Sequence, residues 1–175
     1  SRSHSVSLSG STSLLRYDTP SIDNNDDRDE LWYIFNLTTM HKINQYVSLR
    51  LSADANLTHL VYLSSSRSAD NTWNRIFRIS PRLDYTPSKA VRTVNTFEVL
   101  ANYTAYDFEY PSSPVRSYVF RQFGVVDSST IDLTRKLSID FFGQLRYYER
   151  GELRWTDFTE RPLNYFEDRT YTAAI

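Results

Sequence analysis

The three histidines are the side chains best suited to catalysis or metal binding, and their spacing supports neither role. His4, His41 and His59 do not form a short metal-binding pair such as HxxxH. A serine hydrolase places a histidine beside a nucleophilic serine, and the nearest match is His59 with the serines of residues 64–66. Sequence spacing gives no third residue for such a site, so we predict that the protein is not an enzyme.

An acidic stretch is a weak candidate for a metal site. Oxygen-rich loops can bind Ca²⁺, but this stretch lacks the spaced ligands and central glycine of an EF-hand loop. We therefore predict a solvated loop with no metal and no other cofactor. The carboxylates concerned are those of Asp23, Asp26, Asp27 and Asp29.

The composition excludes several other classes of function. The chain has 20 basic and 21 acidic residues, and this balance does not favour a nucleic-acid partner. It contains no cysteine, which excludes disulfides and thiolate-bound metals.

A two-residue alternation of polar and apolar side chains is the dominant pattern. The odd positions from Ser1 to Ser13 are all serine, and residues 46–57 alternate strictly. Successive side chains of a β-strand point to opposite faces, so this period predicts strands with one polar and one apolar face. Similar segments at residues 73–85, 91–108 and 137–147 predict an all-β protein.

The alternation divides the candidate functional residues into two groups. One group is apolar and consists of Val47, Leu49, Leu51, Phe77, Ile79, Phe97, Val99, Ile139 and Phe141. The other is polar or charged and consists of Arg50, Asp54, Arg78, Arg82, Asp84, Glu98, Asn102, Asp140 and Arg146. Because both charge signs occur in the second group, we expect its members to form ion pairs, including Arg82 with Asp84, Arg92 with Glu98 and Asp140 with Arg146.

The predicted connections alternate in length. Long polar connections at residues 18–29, 64–72 and 107–116 alternate with short ones at 40–44, 86–90 and 127–131. This asymmetry is typical of up-and-down membrane barrels. Extending it favours a strand that runs on through Arg150 and Gly151, with a fourth long loop at residues 158–167 and an eighth strand that starts near residue 168. A tight turn at Arg150 and Gly151 is the alternative.

At these segments the chain resembles a bacterial outer-membrane β-barrel protein. The resemblance implies an antiparallel up-and-down transmembrane β-barrel of about eight strands, with the lipid bilayer and other envelope proteins as partners. It implies that the apolar group faces lipid and that the polar group faces the lumen. The implied role is structural, adhesive or passive transport, in the bacterial outer membrane.

Two features depart from the pattern of such barrels. Pro81 lies inside a predicted strand, where it removes a hydrogen-bond donor and normally marks an edge or a bulge. The sequence ends in Ile175 rather than an aromatic residue. The chain is therefore expected to be a single β-barrel domain over residues 1–175 or part of a larger barrel.

Two alternatives are compatible with the same alternation. A soluble β-barrel or β-sandwich that binds a sugar or an apolar ligand would bury the apolar face and hydrate the polar one. An accessory membrane subunit would have an open sheet closed by partner chains. Strand length favours the membrane barrel, because several segments exceed the roughly 9–11 residues that cross a bilayer.

Overall fold

The computed structural model describes residues 3–21, 24–108, 116–154 and 159–174, with only the backbone of 159–169 and 172–174. Eight antiparallel strands follow one another in chain order, and a short 3-10 helix, Ser65–Asp70, lies between the third and fourth. The strands are β1 (His4–Tyr17), β2 (Arg28–Lys42), β3 (Val47–Tyr62), β4 (Thr72–Ser88), β5 (Val91–Tyr106), β6 (Tyr118–Thr134), β7 (Leu137–Arg154) and β8 (Thr159–Ala174).

The sheet is a meander, since every strand pairs with its neighbours in sequence. It is not closed into a barrel: over the described residues β1 pairs only with β2, and β8 pairs only with β7. The prediction of eight up-and-down antiparallel strands is confirmed. The closure that the barrel prediction required is absent from this structure.

Two predicted connections lie inside strands. Residues 127–131 were expected to form a turn because Asp, Ser and Thr favour turns, but they belong to β6, and the β6–β7 turn is at residues 135–136. Asp127 faces Asn95 in the ladder and accepts a hydrogen bond from its side chain, so tertiary pairing overrides the local preference. The predicted fourth long loop at 158–167 is also wrong, because β8 begins at Thr159.

The strands are continuous at Arg150–Gly151 and at Pro81. Arg150 and Gly151 lie within β7, as predicted, and a register shift to β8 occurs between them. Pro81 lies in an interior strand rather than at an edge. Its missing N–H is accommodated on the β5 side, where the ladder has no paired residues between Ile79 and Arg82 although the register is the same on both sides of this gap.

Almost no side chain is buried in a core. Among the described residues the buried apolar side chains are Ala105, Val119 and Leu153, which lie together where β5, β6 and β7 meet the β5–β6 connection. No helix in the described part of the chain is long and apolar enough to cross a membrane. The fold is therefore a single-layered sheet whose two faces are both available for contact.

Candidate functional surfaces of the sheet

The strand registers place the two predicted groups on opposite faces. Residues paired across antiparallel strands share a face, and one such row runs through Leu37, Ala53, Ile79, Val99 and Phe123. All nine residues predicted to face lipid lie on the face of this row, which we call the apolar face. All nine residues predicted to face the lumen lie on the other, the polar face.

Over the described residues, the apolar face is uncovered along the middle of the sheet. Leu51 is 37% exposed, Ile79 and Val99 are each 51% exposed, and Leu8 in β1 is 76% exposed. No second sheet or helix packs on this face within the described residues. These fractions are high for large aliphatic side chains at mid-strand.

The polar face forms some of the expected ion pairs. Arg82 donates two hydrogen bonds to Asp84, at 3.0 and 2.9 Å between nitrogen and oxygen. Glu98 lies 3.5 Å from Arg78, and it also accepts a hydrogen bond from Gln122 at 2.8 Å. The expected pair of Arg92 with Glu98 is therefore replaced by one between neighbouring strands.

The remaining charges of the polar face are not neutralised in this way. Among the described residues, Arg50, Asp54 and Arg146 form no ion pair with an oppositely charged side chain. Asp140 accepts a hydrogen bond from Thr130 Oγ1 at 2.7 Å rather than pairing with Arg146. The expected ion pairs are therefore formed only in part, and among the described residues this face keeps charges of both signs that have no ion-pair partner.

Four buried side-chain oxygens on the polar face also have no hydrogen-bond partner among the described residues. The side-chain oxygen of Asn102 is enclosed but accepts no hydrogen bond from any residue that the structure describes. The same holds for the side-chain oxygens of Asn56, Asn74 and Thr104. An unsatisfied buried oxygen costs about 1–3 kcal/mol unless water reaches it. Because these atoms are enclosed in this structure, each of them carries that cost.

The connections at one end of the sheet are linked by ion pairs. Arg67, in the 3-10 helix, lies 2.6 Å from Asp26 of the β1–β2 connection and 3.0 Å from Asp70. Arg116, which precedes β6, lies 3.0 Å from Asp70 and donates to the carbonyl of Ala69. Asp70 therefore joins the β3–β4 connection to the β5–β6 connection. Arg67 joins these two to the β1–β2 connection.

We predict that this loop edge weakens in acid. Hydrogen bonds from Arg116 and then from Arg67 lower the pKa of Asp70 below its ordinary value. A lowered pKa in the folded state means that the stabilisation is complete above about pH 4 and is lost as the pH falls through the folded value. In urea unfolding, Asp70→Asn should be less stable than the wild type at pH 7, and the difference should shrink as the pH is lowered below about 4.

Asp18→Asn is the matched control, because Asp18 forms no ion pair in the described part of the chain. Its stability should equal that of the wild type at pH 7 and at pH 2. An Asp70→Asn deficit that persists unchanged at pH 2 would show that the carboxylate charge is not the cause.

His59 pairs with an aspartate rather than a serine. Its Nε2 atom lies 2.9 Å from Asp107 Oδ2, and its ring stacks on Trp73 with centroids 4.2 Å apart. Ser64 and Ser66 instead hydrogen bond to each other. The hydrolase arrangement considered for His59 is therefore not formed.

The acidic stretch is divided among separate partners. Asp26 pairs with Arg67, Asp27 accepts from Thr19 and Asn24, and Asp29 lies 3.9 Å from Arg16. Asp23 lies outside the described residues. Within the part of the chain that is described, no three His, Cys, Asp or Glu side chains converge to hold a metal ion.

Sequence reasoning missed an ion pair on the apolar face. Arg121 lies 3.2 Å from Glu149, and the two residues are directly opposite in the β6–β7 ladder. Arg121 lies between the apolar residues Val119 and Phe123 of the same parity in β6, but only the register identifies its partner, 28 positions away. This ion pair interrupts the apolar face on β6 and β7, at the end of the sheet nearest the long connections.

Comparison with known proteins adds no assignment. The chain matches no protein-family model, and no curated protein is significantly similar to it in sequence.

Proposed function

We propose that the chain is a membrane-spanning wall of a bacterial outer-membrane β-barrel, with a role in passive transport of small polar solutes. Its apolar face contacts lipid and its polar face lines a water-filled lumen. The observation that supports this best is the uncovered apolar face on a single sheet of strands 14 to 18 residues long. Strands of this length exceed the roughly 9–11 residues that cross a hydrocarbon layer.

The solvent-accessible surface of the chain is larger than that of a water-soluble monomer of the same mass, which supports contact with lipid or with further strands. A folded water-soluble monomer of 20.5 kDa exposes about 8,900 Å² by the usual scaling with mass. This chain exposes 12246 Å². The large difference means that much of the surface has no protein covering, as expected for a sheet that contacts lipid on one face and a lumen on the other.

The connections support an orientation across a membrane. Residues 18–27, 63–71 and 107–117 connect strands at one end, and the short turns at 43–46, 89–90 and 135–136 lie at the other. Outer-membrane barrels have short periplasmic turns and longer external loops. The loop edge joined by Asp70 and Arg67 then lies outside the cell.

The open edges support a wall of a larger barrel. Unpaired backbone groups are not tolerated in hydrocarbon, so in a membrane β1 and β8 must each gain a second partner, which is either the other edge strand or a further strand. A closed barrel of eight strands is filled by its own side chains, whereas barrels of about 16 strands enclose water. Additional strands, from the same chain or from partner chains, would leave room for solutes beside the polar face.

The proposal predicts full protection of the β1 backbone in bilayers. With one paired neighbour, only the β1 amides directed at β2 are hydrogen bonded, which is every second residue. A strand paired on both sides protects them all. Hydrogen exchange in liposomes should therefore be slow at all β1 amides between His4 and Tyr17. Fast exchange at alternate amides would show an open edge and contradict the proposal.

Membrane fractionation and conductance test the function itself. The protein should be recovered with outer membranes, require detergent for extraction, and produce ion conductance in planar bilayers. A monodisperse soluble monomer without detergent would contradict membrane insertion. Stable insertion without conductance would leave a structural or adhesive role and contradict passive transport.

A second candidate function is the binding of an apolar ligand by a soluble β protein. It is favoured by a groove of about 250 Å³ on the apolar face, where the small side chains of Ala53 and Ala55 lie between larger ones. The large residues at its sides are Leu8, Phe35, Leu37, Phe77 and Ile79. A soluble monomer that binds a fatty acid would support this candidate.

A further inference from the structure

We infer that the polar face contains a binding site for a phosphate-type oxyanion, free or borne on a small solute, at the short-turn end of β4, β5 and β6. The inference deepens the proposed transport role and rests on it for the access of solutes to this face. It is carried by a cavity that is lined by guanidinium and hydroxyl groups and bordered by a further unpaired arginine.

The cavity spans three strands and has a volume of about 360 Å³. Its polar lining consists of two arginines and three hydroxyl residues, which are Arg82, Arg92, Thr96, Ser128 and Thr130. Guanidinium groups bind phosphate oxygens in pairs of parallel hydrogen bonds, and hydroxyl groups can donate further ones. The volume lies at the small end of the range of small-molecule sites.

The arginines are only partly neutralised. Arg82 is held by Asp84, whereas neither Arg50 nor Arg92 forms an ion pair with any described residue. Arg50 lies directly opposite Arg82 in the β3–β4 ladder. Like charges in opposite positions destabilise a sheet, and an anion bound beside them would remove that repulsion.

Basic side chains outnumber carboxylates around the cavity. The carboxylates of the polar face at this end are those of Asp84, Asp132 and Asp140. Seven basic side chains lie at the same end, four on the polar face and three in the short turns: Lys42, Arg50, Arg82, Arg92, Lys89, Arg135 and Lys136. The local potential is therefore positive and favours entry of an anion.

Titration calorimetry with inorganic phosphate tests the site. The whole chain in detergent micelles is titrated at pH 7 and constant ionic strength, and the wild type should give saturable binding. Arg92→Gln and Arg50→Gln should each weaken phosphate binding by about tenfold or more. Arg92→Gln removes a charged hydrogen-bond donor. Arg50→Gln removes the repulsion with Arg82, so a bound anion no longer gains stability by relieving it. Arg92→Lys should retain part of the affinity.

Arg16→Gln is the control, because it removes the same charge from the apolar face at the opposite end, where Arg16 is 73% exposed. Its phosphate affinity should be unchanged. Circular dichroism verifies that each variant keeps its sheet, and Ser128→Ala provides a second, uncharged variant with a smaller expected loss.

Absence of saturable phosphate binding, or equal affinities in all the variants, would overturn the inference. Insertion into liposomes is measured on the same preparations. Protein that binds phosphate but does not insert would contradict the proposed function alone, and protein that inserts without binding phosphate would contradict the anion site alone.

Discussion

Val99→Arg should abolish or severely reduce insertion of the protein into bilayers. Val99 lies near the middle of β5 on the apolar face and is 51% exposed, with Ile79 and Phe123 beside it in the ladder. An arginine on the lipid-facing side of a barrel near the bilayer midplane costs about 2–4 kcal/mol. Urea titration of folding into liposomes should show this loss, together with a smaller inserted fraction.

Ser52→Arg is the matched control for Val99→Arg. Ser52 lies on the polar face, in the row that continues through Ser80 towards Glu98, and Glu98 is the residue before Val99. The substitution Ser52→Arg therefore introduces the same charge as Val99→Arg at a similar depth in the sheet. It should fold into liposomes almost as well as the wild type. Equal losses for the two variants would contradict the assignment of lipid to the apolar face alone, and a greater loss for Ser52→Arg would mean that the two faces are exchanged.

Leu153→Ala should destabilise the sheet by about 2–5 kcal/mol, the usual cost of truncating a buried leucine. Leu153 is fully buried, and it lies with Ala105 and Val119 in the small enclosed cluster near the β5–β6 connection. Its backbone N–H also donates to the carbonyl of Ser117 at 3.0 Å. Because protein atoms surround this side chain, the loss should be the same in detergent and in bilayers.

Leu133→Ala is the control for this effect, because Leu133 lies at the turn end of β6 and is 55% exposed. Its unfolding free energy in detergent should stay within about 0.5 kcal/mol of the wild type. If Leu153→Ala were equally mild, the cluster near the β5–β6 connection would not contribute to stability. The two leucines thus separate stabilisation by protein packing from stabilisation by the surroundings of the sheet.

The strands and their faces could be predicted from sequence because they depend on a local, two-residue period. Leu49 and Arg50 fall on opposite faces in any register, since neighbouring side chains of a strand always do. The number of strands was predicted from the alternation of long and short connections, although the predicted fourth loop at residues 158–167 is part of β8. The division of β3, β4, β5 and β7 into polar and apolar sides therefore required no knowledge of pairing.

Features that depend on pairing between distant segments could not be predicted. Residues 127–131 have turn-forming side chains, yet they continue β6 because β5 and β7 supply partners on both sides. The contacts of Glu98 with Arg78 and Gln122 are between neighbouring strands, whereas the expected partner, Arg92, lies on the same strand. Closure of the sheet is likewise a property of its edges, which the period of the side chains does not determine.

The cationic cavity illustrates the same limit for the candidate site. Arg50, Arg82 and Arg92 lie on the same face by parity, which the sequence shows. Their convergence at one end requires the register that sets Arg50 opposite Arg82, and the cavity depends on β6, whose alternation is irregular. Cation clusters formed across strands therefore become visible only once the pairing is known.

Contact with lipid at single positions tests the central claim most directly. The chain contains no cysteine, so Val99→Cys and Ser52→Cys each provide one site for a fluorescent label in liposomes. Brominated lipids should quench the label at residue 99 strongly and aqueous iodide should not, whereas the label at residue 52 should show the reverse. Quenching by iodide alone at both positions would contradict the claim that the apolar face of this sheet lies against a bilayer.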